Sequence, residues 1–249
     1  MKTDLKDVTF TIPVRIDSED RQFNINYIIS YLLHNFDTNV IVYENGPKQL
    51  FVNNHNVTHI FEENNGPFHR TRYLNKMAKL ATTKYISNYD CDVLFPLKQM
   101  VKAVNTLRGN SCDFIFPYDG LFVNIPRIAL NDTYTVDHLE QSKFPNFGNN
   151  SVGGAVIWNK EVFIAGGMEN ENFVSWGAED WERIRRFLTL GYRPGRIKGA
   201  LFHINHSRST DSNESNPFYT KNTQEYNRIV NMTKDLLLKE IQSWPWLSL

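Results

Sequence analysis

Asp90 and Asp92 stand one residue apart, directly after the apolar run Lys84 to Tyr89. Residues i and i+2 of an extended chain share a face, so both carboxylates can point into one cavity and hold a hard divalent cation. Alone the pair says little, because neighbouring acids are common in solvated turns. Further on, His203 and His206 follow the apolar run Ala200 to Phe202. Histidines three apart converge in a turn but diverge along a strand, so shared ligation requires the chain to bend at Ile204. The alternative is one core and one surface histidine. With Asp92 the pair makes a mixed oxygen and nitrogen ligand set, which suits Mn²⁺ better than Ca²⁺ and lacks the thiolates of a structural zinc site. Three protein ligands leave positions open for a diphosphate.

A third group is Ser175-Trp176-Gly177-Ala178-Glu179-Asp180, reached through the Gly- and Asn-rich stretch Gly166 to Asn172. Acids in a first helical turn complement the helix dipole without any further role. Capping does not account for a Trp just before a Gly, and an aromatic beside a carboxylate can bind a sugar face while supplying a base. A fourth group is basic. Arg15 follows the first strand and Arg70 opens a helix, two places from which arginines clamp phosphates; ordinary surface solvation is the other reading.

These residues need a frame. Val8, Phe10 and Ile12 alternate with polar residues as a strand that Pro13 ends, and Phe23, Tyr27, Ile28, Tyr31, Leu32 and Phe36 recur at helical spacing. Strands are expected at Asn39 to Tyr43, Val57 to Phe61 and Lys84 to Tyr89, with a helix bearing Tyr73, Leu74, Met77, Leu80 and Ala81 before the last. This β-α-β-α order predicts an α/β fold with a mostly parallel, doubly wound sheet, whose ligands lie beyond the carboxyl ends of the strands. The second half reads as strands at Phe114 to Phe116, Gly154 to Trp158 and Ile197 to Phe202. Helices are expected at Glu179 to Leu190, ending at Gly191, and at Thr223 to Ile241, ending before Pro245.

Composition narrows the function. The 27 Lys+Arg balance 27 Asp+Glu, which argues against a broad nucleic-acid surface and leaves room for a local phosphate site. No run approaches the length of a membrane span, and Met1 to Phe10 lacks a signal-peptide core, so the expectation is a cytoplasmic protein. Cys91 and Cys112 form no metal or disulfide pattern. Sequons such as Asn56-Val57-Thr58 are expected by chance in an Asn-rich chain. Trp244 to Leu249 is either a packing tail or a peripheral contact at a membrane's inner face.

Taken in order, the segments resemble the β-1,4-galactosyltransferase family and, more broadly, GT-A glycosyltransferases of the chondroitin-synthase type. Ile12-Pro13-Val14-Arg15 is similar to the family's P-F-R, Phe68 to Asn75 to its F-N-R-A-K-L-L-N, and Asp90-Cys91-Asp92 to its D-V-D. Gly153-Gly154 and Trp176 to Asp180 resemble its G-G and W-G-G-E-D pair, and His203 to Arg208 its M-I-R-H-S-R. The resemblance covers roughly residues 8 to 210. It implies a GT-A (Rossmann-like) catalytic domain over 1–249: a nucleotide-binding half about 1–95, an acceptor and catalytic half about 96–215, and a C-terminal helix and tail about 216–249.

The activity so implied is a metal-dependent, inverting transfer of a hexose or N-acetylhexosamine from a UDP-sugar to a carbohydrate or lipid-linked glycan acceptor. Asp92, His206 and His203 would hold Mn²⁺ or Mg²⁺. Asp180 would be the general base, with Glu179 beside it on the sugar. Donor contacts would come from Pro13, Arg15, Arg70, Asn75, Asp90, Asp92, Gly154 and Trp176, the last on a mobile loop. Retaining relatives commonly read E-N where this chain reads Glu179-Asp180, which favours inversion. Ser151 falls where animal members carry a bulky Tyr, so an N-acetyl group would fit the donor site. Ala178 replaces a family Gly, Trp181 an acid and His203 a Met. A retaining or polymerase-type transferase and an inactive sugar- or nucleotide-binding module are the alternatives.

Overall fold

The computed structural model describes residues 1–53, 56–207 and 214–248. The chain opens with β1 (Thr3–Val14), α1 (Glu19–Asn35), β2 (Phe36–Gly46), β3 (Thr58–Glu63), α2 (Arg70–Leu80) and β4 (Tyr85–Tyr89). Next come β5 (Val93–Leu94), α3 (Leu97–Arg108), β6 (Phe114–Phe116), β7 (Phe122–Ile125), β8 (Asn146–Gly148), β9 (Ala155–Asn159) and α4 (Lys160–Ala165). Then follow α5 (Glu179–Leu190), β10 (Pro194–Arg196), β11 (Leu201–Ile204), α6 (Tyr219–Val230) and α7 (Lys234–Gln242).

A seven-stranded sheet runs β10-β6-β9-β4-β1-β2-β3, parallel except for β9, which lies antiparallel between β4 and β6. This is the expected α/β architecture with a mostly parallel sheet. Every residue of β1 from Val8 to Val14 is buried, as a central parallel strand covered on both faces must be. A second sheet, β5-β11-β7-β8, sits beyond the ends of β4 and β9. One core of buried side chains runs through both sheets, from Leu5 and Val8 to Leu201 and Ile204.

Several boundaries differ from the sequence reading. Pro13 does not end β1, which pairs with β2 as far as Val14 and Glu44. Phe36 is not on the helix but opens β2, facing Thr3 across the ladder, because α1 passes into the strand with no loop. The strand expected at Ile197 to Phe202 is two pieces, β10 earlier and β11 later, separated by Gly199 at φ 125°, a left-handed conformation suited to Gly. The single closing helix is two: the Thr233 side chain caps α7 by accepting from the Leu236 N–H, which starts a new helix after Asn231.

The tail packs inward. Trp244 is 3% exposed in a cluster with Leu190, Ile229, Leu237 and Ile241, and Trp246 Nε1 donates to the Gly167 carbonyl at 3.3 Å. Packing is thus what the structure gives the tail's tryptophans; Leu249 lies outside the described residues. No helix among the described residues is long and apolar enough to cross a membrane.

Candidate active site

Strand register brings the distant acids and histidines together. Beyond β4, the Asp90 N–H donates to the Gly154 carbonyl at 2.8 Å, and the chain passes into the second sheet. There β5 pairs antiparallel with β11, placing His203 opposite Val93, and the Ile204 N–H donates to the Asp92 carbonyl at 2.8 Å. β11 ends at Ile204, the chain turns, and His206 Nε2 comes within 3.2 Å of Asp92 Oδ2, with His203 Nε2 at 3.8 Å. The bend that joint ligation requires is therefore present.

Ligand atoms from Asp92, His203 and His206 all lie within 4.8 Å of one another. His203 Nδ1 lies 2.9 Å from Asn124 Oδ1, and His206 Nδ1 lies 2.7 Å from the Ser207 carbonyl. An acceptor at each Nδ1 holds the proton there and turns each Nε2 toward Asp92, as outer partners of metal-bound imidazoles do. One carboxylate and two such imidazoles fit a divalent ion of intermediate hardness. Cys91 contributes no thiolate: it is buried, and burial first, then the Asp92 charge, pushes its thiol up to about 12.

Across a cleft of about 210 Å³ stands the start of α5. Asp180 Oδ1 accepts from Arg183 at 2.7 Å and from Arg70 at 3.4 Å. Arg70, from the start of α2, also donates to Asp90 Oδ1 at 2.7 and 3.2 Å, so one guanidinium spans the two acidic walls. Burial works against ionisation of Asp180, but Arg183 and Arg70 outweigh it and hold its carboxyl below the usual range. Asp90 goes the other way: burial, with Asp92 and Asp180 nearby, raises it despite Arg70. Asp92 is also buried, yet His203, His206 and Arg21 keep it well below the ordinary carboxylate value.

Glu179 is 6% exposed, and burial, then the Asp180 charge, raises its carboxyl to about 7. A raised carboxyl contributes stability that is complete below its ordinary value of 4.5 and is lost as pH climbs through about 7. Glu179→Gln, neutral throughout, is therefore expected to match the parent near pH 4 and exceed its stability at pH 8 by roughly 1–3 kcal/mol. Urea unfolding at both pH values checks this; an equal difference at each would contradict it.

The approach to α5 is bent. Ser175 has φ 61°, Gly177 φ 133° and Ala178 φ 66°, which leaves Trp176 37% exposed on the cleft wall, stacked on Tyr219 at 5.9 Å. Its carbonyl accepts from Asn216 at 2.8 Å and Asn222 at 3.2 Å. Ala178 carries a Cβ in a left-handed conformation that favours Gly. Ala178→Gly is expected to stabilise the protein by about 1 kcal/mol, read as a higher urea midpoint; an unchanged or lower midpoint would show that the bend is not strained.

Of the sequence candidates, Pro13, Arg70, Asp90, Asp92, Trp176, Glu179, Asp180, His203 and His206 line this cleft, and Arg15, Asn75, Gly154 and Ser151 are not among its lining residues. Arg15 donates to Asn45 Oδ1 at 2.5 Å and to the Gly66 carbonyl at 2.8 Å. Buried Asn75 clasps the Glu169 backbone, accepting its N–H at 2.8 Å and donating to its carbonyl at 2.9 Å. Gly154 sits behind Asp90 with φ 79°, where a Cβ would stand 2.5 Å from Leu201. Ser151 Oγ accepts from the Tyr118 hydroxyl at 3.2 Å. Arg208, the end of the His203 motif, lies outside the described residues.

Two features of the site escape the sequence reading. Arg21, on the first turn of α1, donates to Asp92 Oδ2 at 3.0 Å. Behind Asp180, Arg183 is gripped by both oxygens of Glu169 at 2.9 and 3.1 Å, all of it buried. The i, i+3 spacing of Asp180 and Arg183 was a visible signal; Glu169 had none.

A family model described as the N-terminal domain of galactosyltransferase matches residues 135–209. No curated protein matches the sequence significantly. Among solved structures, the catalytic domain of Drosophila β1,4-galactosyltransferase 7 with xylobiose is 17% identical, with TM-score 0.47 over 76% of this chain and 63% of that one. A mutant of that Drosophila enzyme with manganese, UDP-Gal and xylobiose is likewise 17% identical, with TM-score 0.48 over the same 76% and 63%. GalNAc-T7 with UDP, GalNAc and Mn²⁺ is 13% identical, with TM-score 0.59 over 96% of this chain and 51% of that one. The chain thus spans less than two thirds of each. The overlay on nearly the whole chain shows a fold of the GT-A type, and residues 135–209 are similar in sequence to the galactosyltransferase family model.

Proposed function

We propose that the protein is a metal-dependent, inverting glycosyltransferase that moves a hexose or N-acetylhexosamine from a UDP-sugar to a hydroxyl of a glycan or glycolipid, acting as one catalytic domain. The observation that carries this reading is the opposition, within one cleft, of the Asp92, His203 and His206 donors to the Glu179 and Asp180 carboxylates. Asp92, His203 and His206 would hold the ion. A bound Mn²⁺ or Mg²⁺ supplies Lewis-acid neutralisation of the diphosphate leaving group.

The remaining work falls to the chain. Asp180, kept ionised by Arg183 and Arg70, accepts the proton of the acceptor hydroxyl. That oxygen forms its bond to the anomeric carbon from the face opposite the diphosphate, whose oxygen leaves with the bonding pair, so the configuration inverts. Arg70 bridges Asp90 and Asp180; turning it onto the diphosphate leaves Asp180 with one cation fewer and a greater proton affinity when the donor is bound. Glu179, protonated up to about pH 7, donates a hydrogen bond to a sugar hydroxyl. Trp176, exposed on the cleft wall, packs on the sugar face.

The donor reading rests on the resemblance, which sets the small Ser151 where animal members carry a bulky Tyr and so supports a UDP-GalNAc or UDP-GlcNAc donor; the cleft lining itself does not include Ser151. A hydrolysis panel of UDP-sugars, run with and without Mn²⁺, tests both parts. Metal-dependent turnover with an N-acetylated donor is expected; turnover with UDP-galactose alone overturns the donor, and no metal-dependent turnover overturns the activity.

A further inference from the structure

Arg21 enters α1 at its first turn, where its backbone N–H donates to Ser18 Oγ at 3.2 Å. Its side chain is 20% exposed on the cleft wall, and its NH1 group donates to Asp92 Oδ2 at 3.0 Å and lies 3.6 Å from Cys91 Sγ. That same Oδ2 is the Asp92 oxygen approached by both imidazoles. Arg21 stays protonated at any working pH, so this oxygen carries a permanent positive partner. A divalent ion sharing Oδ2 with the two Nε2 atoms would set its charge against the guanidinium in a partly buried place, where repulsion is screened far less than in water. A guanidinium is also a planar fork matched to phosphate oxygens.

Building on the nucleotide-sugar reading above, we propose that Arg21 is a resident counter-ion: it occupies Asp92 while the cleft holds no anion, and turns to the diphosphate when a nucleotide enters. Metal and nucleoside diphosphate then bind as a cooperative pair, each raising the affinity of the other by the same factor. The structure supplies the elements of this exchange. The Asp92 backbone is held by its carbonyl bond to the Ile204 N–H and its short side chain is buried, so the longer arginine side chain has the greater reach to move.

The test is Mn²⁺ binding to the full chain, titrated with and without UDP, for the parent, Arg21→Gln and Arg21→Lys. UDP chelates Mn²⁺ in solution, so the comparison between variants is what counts. Arg21→Gln is expected to bind Mn²⁺ alone roughly tenfold or more tightly than the parent and to gain correspondingly less from UDP. Arg21→Lys keeps the charge and is expected to follow the parent, which guards against a loss of fold in the Gln variant. If Arg21→Gln binds Mn²⁺ alone no more tightly, or keeps the full effect of UDP, the counter-ion role is overturned while the metal site stands. If the UDP-bound parent takes up no Mn²⁺, the reading of the site itself falls, and this inference with it.

Discussion

Asp180→Asn is expected to lower the transfer rate about a thousandfold while leaving UDP and Mn²⁺ binding within a few-fold of the parent. The two side chains are nearly the same size, and the Asn amide oxygen still accepts from Arg183 and Arg70, which now reach Asp180 Oδ1 at 2.7 and 3.4 Å. What is lost is the lone pair that takes the proton. A fall in kcat with nucleotide and Mn²⁺ affinity retained separates this from a structural effect, even where losing the charge opposite Arg183 lowers the melting temperature. Normal turnover by the variant would contradict the assignment. A retained rate in Asp180→Asn together with a lost rate in Glu179→Gln would move the base one residue back, to the carboxyl whose burial raises it to about 7.

Glu169→Gln is expected to destabilise the fold by about 3–5 kcal/mol. Glu169 and Arg183 are each 1% exposed, and Arg183 donates to both Glu169 oxygens. Asn88 Nδ2 donates to the same Glu169 at 2.6 Å, and Asn75 ties down its backbone. Removing the acid leaves a guanidinium in the interior with Asp180 as its remaining carboxylate partner. Burying an uncompensated charge is far more costly than removing a balanced pair. The double variant Glu169→Gln/Arg183→Met is therefore expected to be more stable than Glu169→Gln alone, and urea unfolding of the three proteins checks this. A single-variant loss under about 1 kcal/mol would show that the pair is not isolated from solvent. Because Arg183 also holds Asp180, the same substitution links the core to the cleft.

The parallel half of the fold was legible because its first strands are long and its helices carry apolar residues at helical spacing. Val8, Phe10 and Ile12 show period two, and Phe23 to Leu32 shows period near four; each signal lies within one element. The second sheet was not, since β5 has 2 residues, β8 has 3, and β7 and β11 have 4 each. Stretches that short carry no periodicity, and their pairing, such as His203 with Val93, is fixed only when the chain has folded. Two helices at the end read as one because the cap at Thr233 interrupts the backbone without interrupting the apolar pattern.

At the site, order along the chain carried most of the information. Asp92, His203 and His206 are far apart in sequence, yet the structure gathers them, because β5 and β11 are neighbours. Arg21 was hidden in a helix start that reads as ordinary surface: Ser18, Glu19 and Asp20 explain themselves as cap and dipole partners. Asn75, whose motif suggests a donor contact, is buried on Glu169 and holds the segment that leads to Trp176.

The central claim, that one divalent ion and a uridine diphosphate share this cleft, is tested most directly by Mn²⁺ stoichiometry in the presence of UDP. The parent is expected to bind one Mn²⁺ per chain, and Asp92→Asn to bind it at least about a hundredfold more weakly. Uptake of no saturable Mn²⁺ by the parent, or equal affinity in Asp92→Asn, would contradict the account.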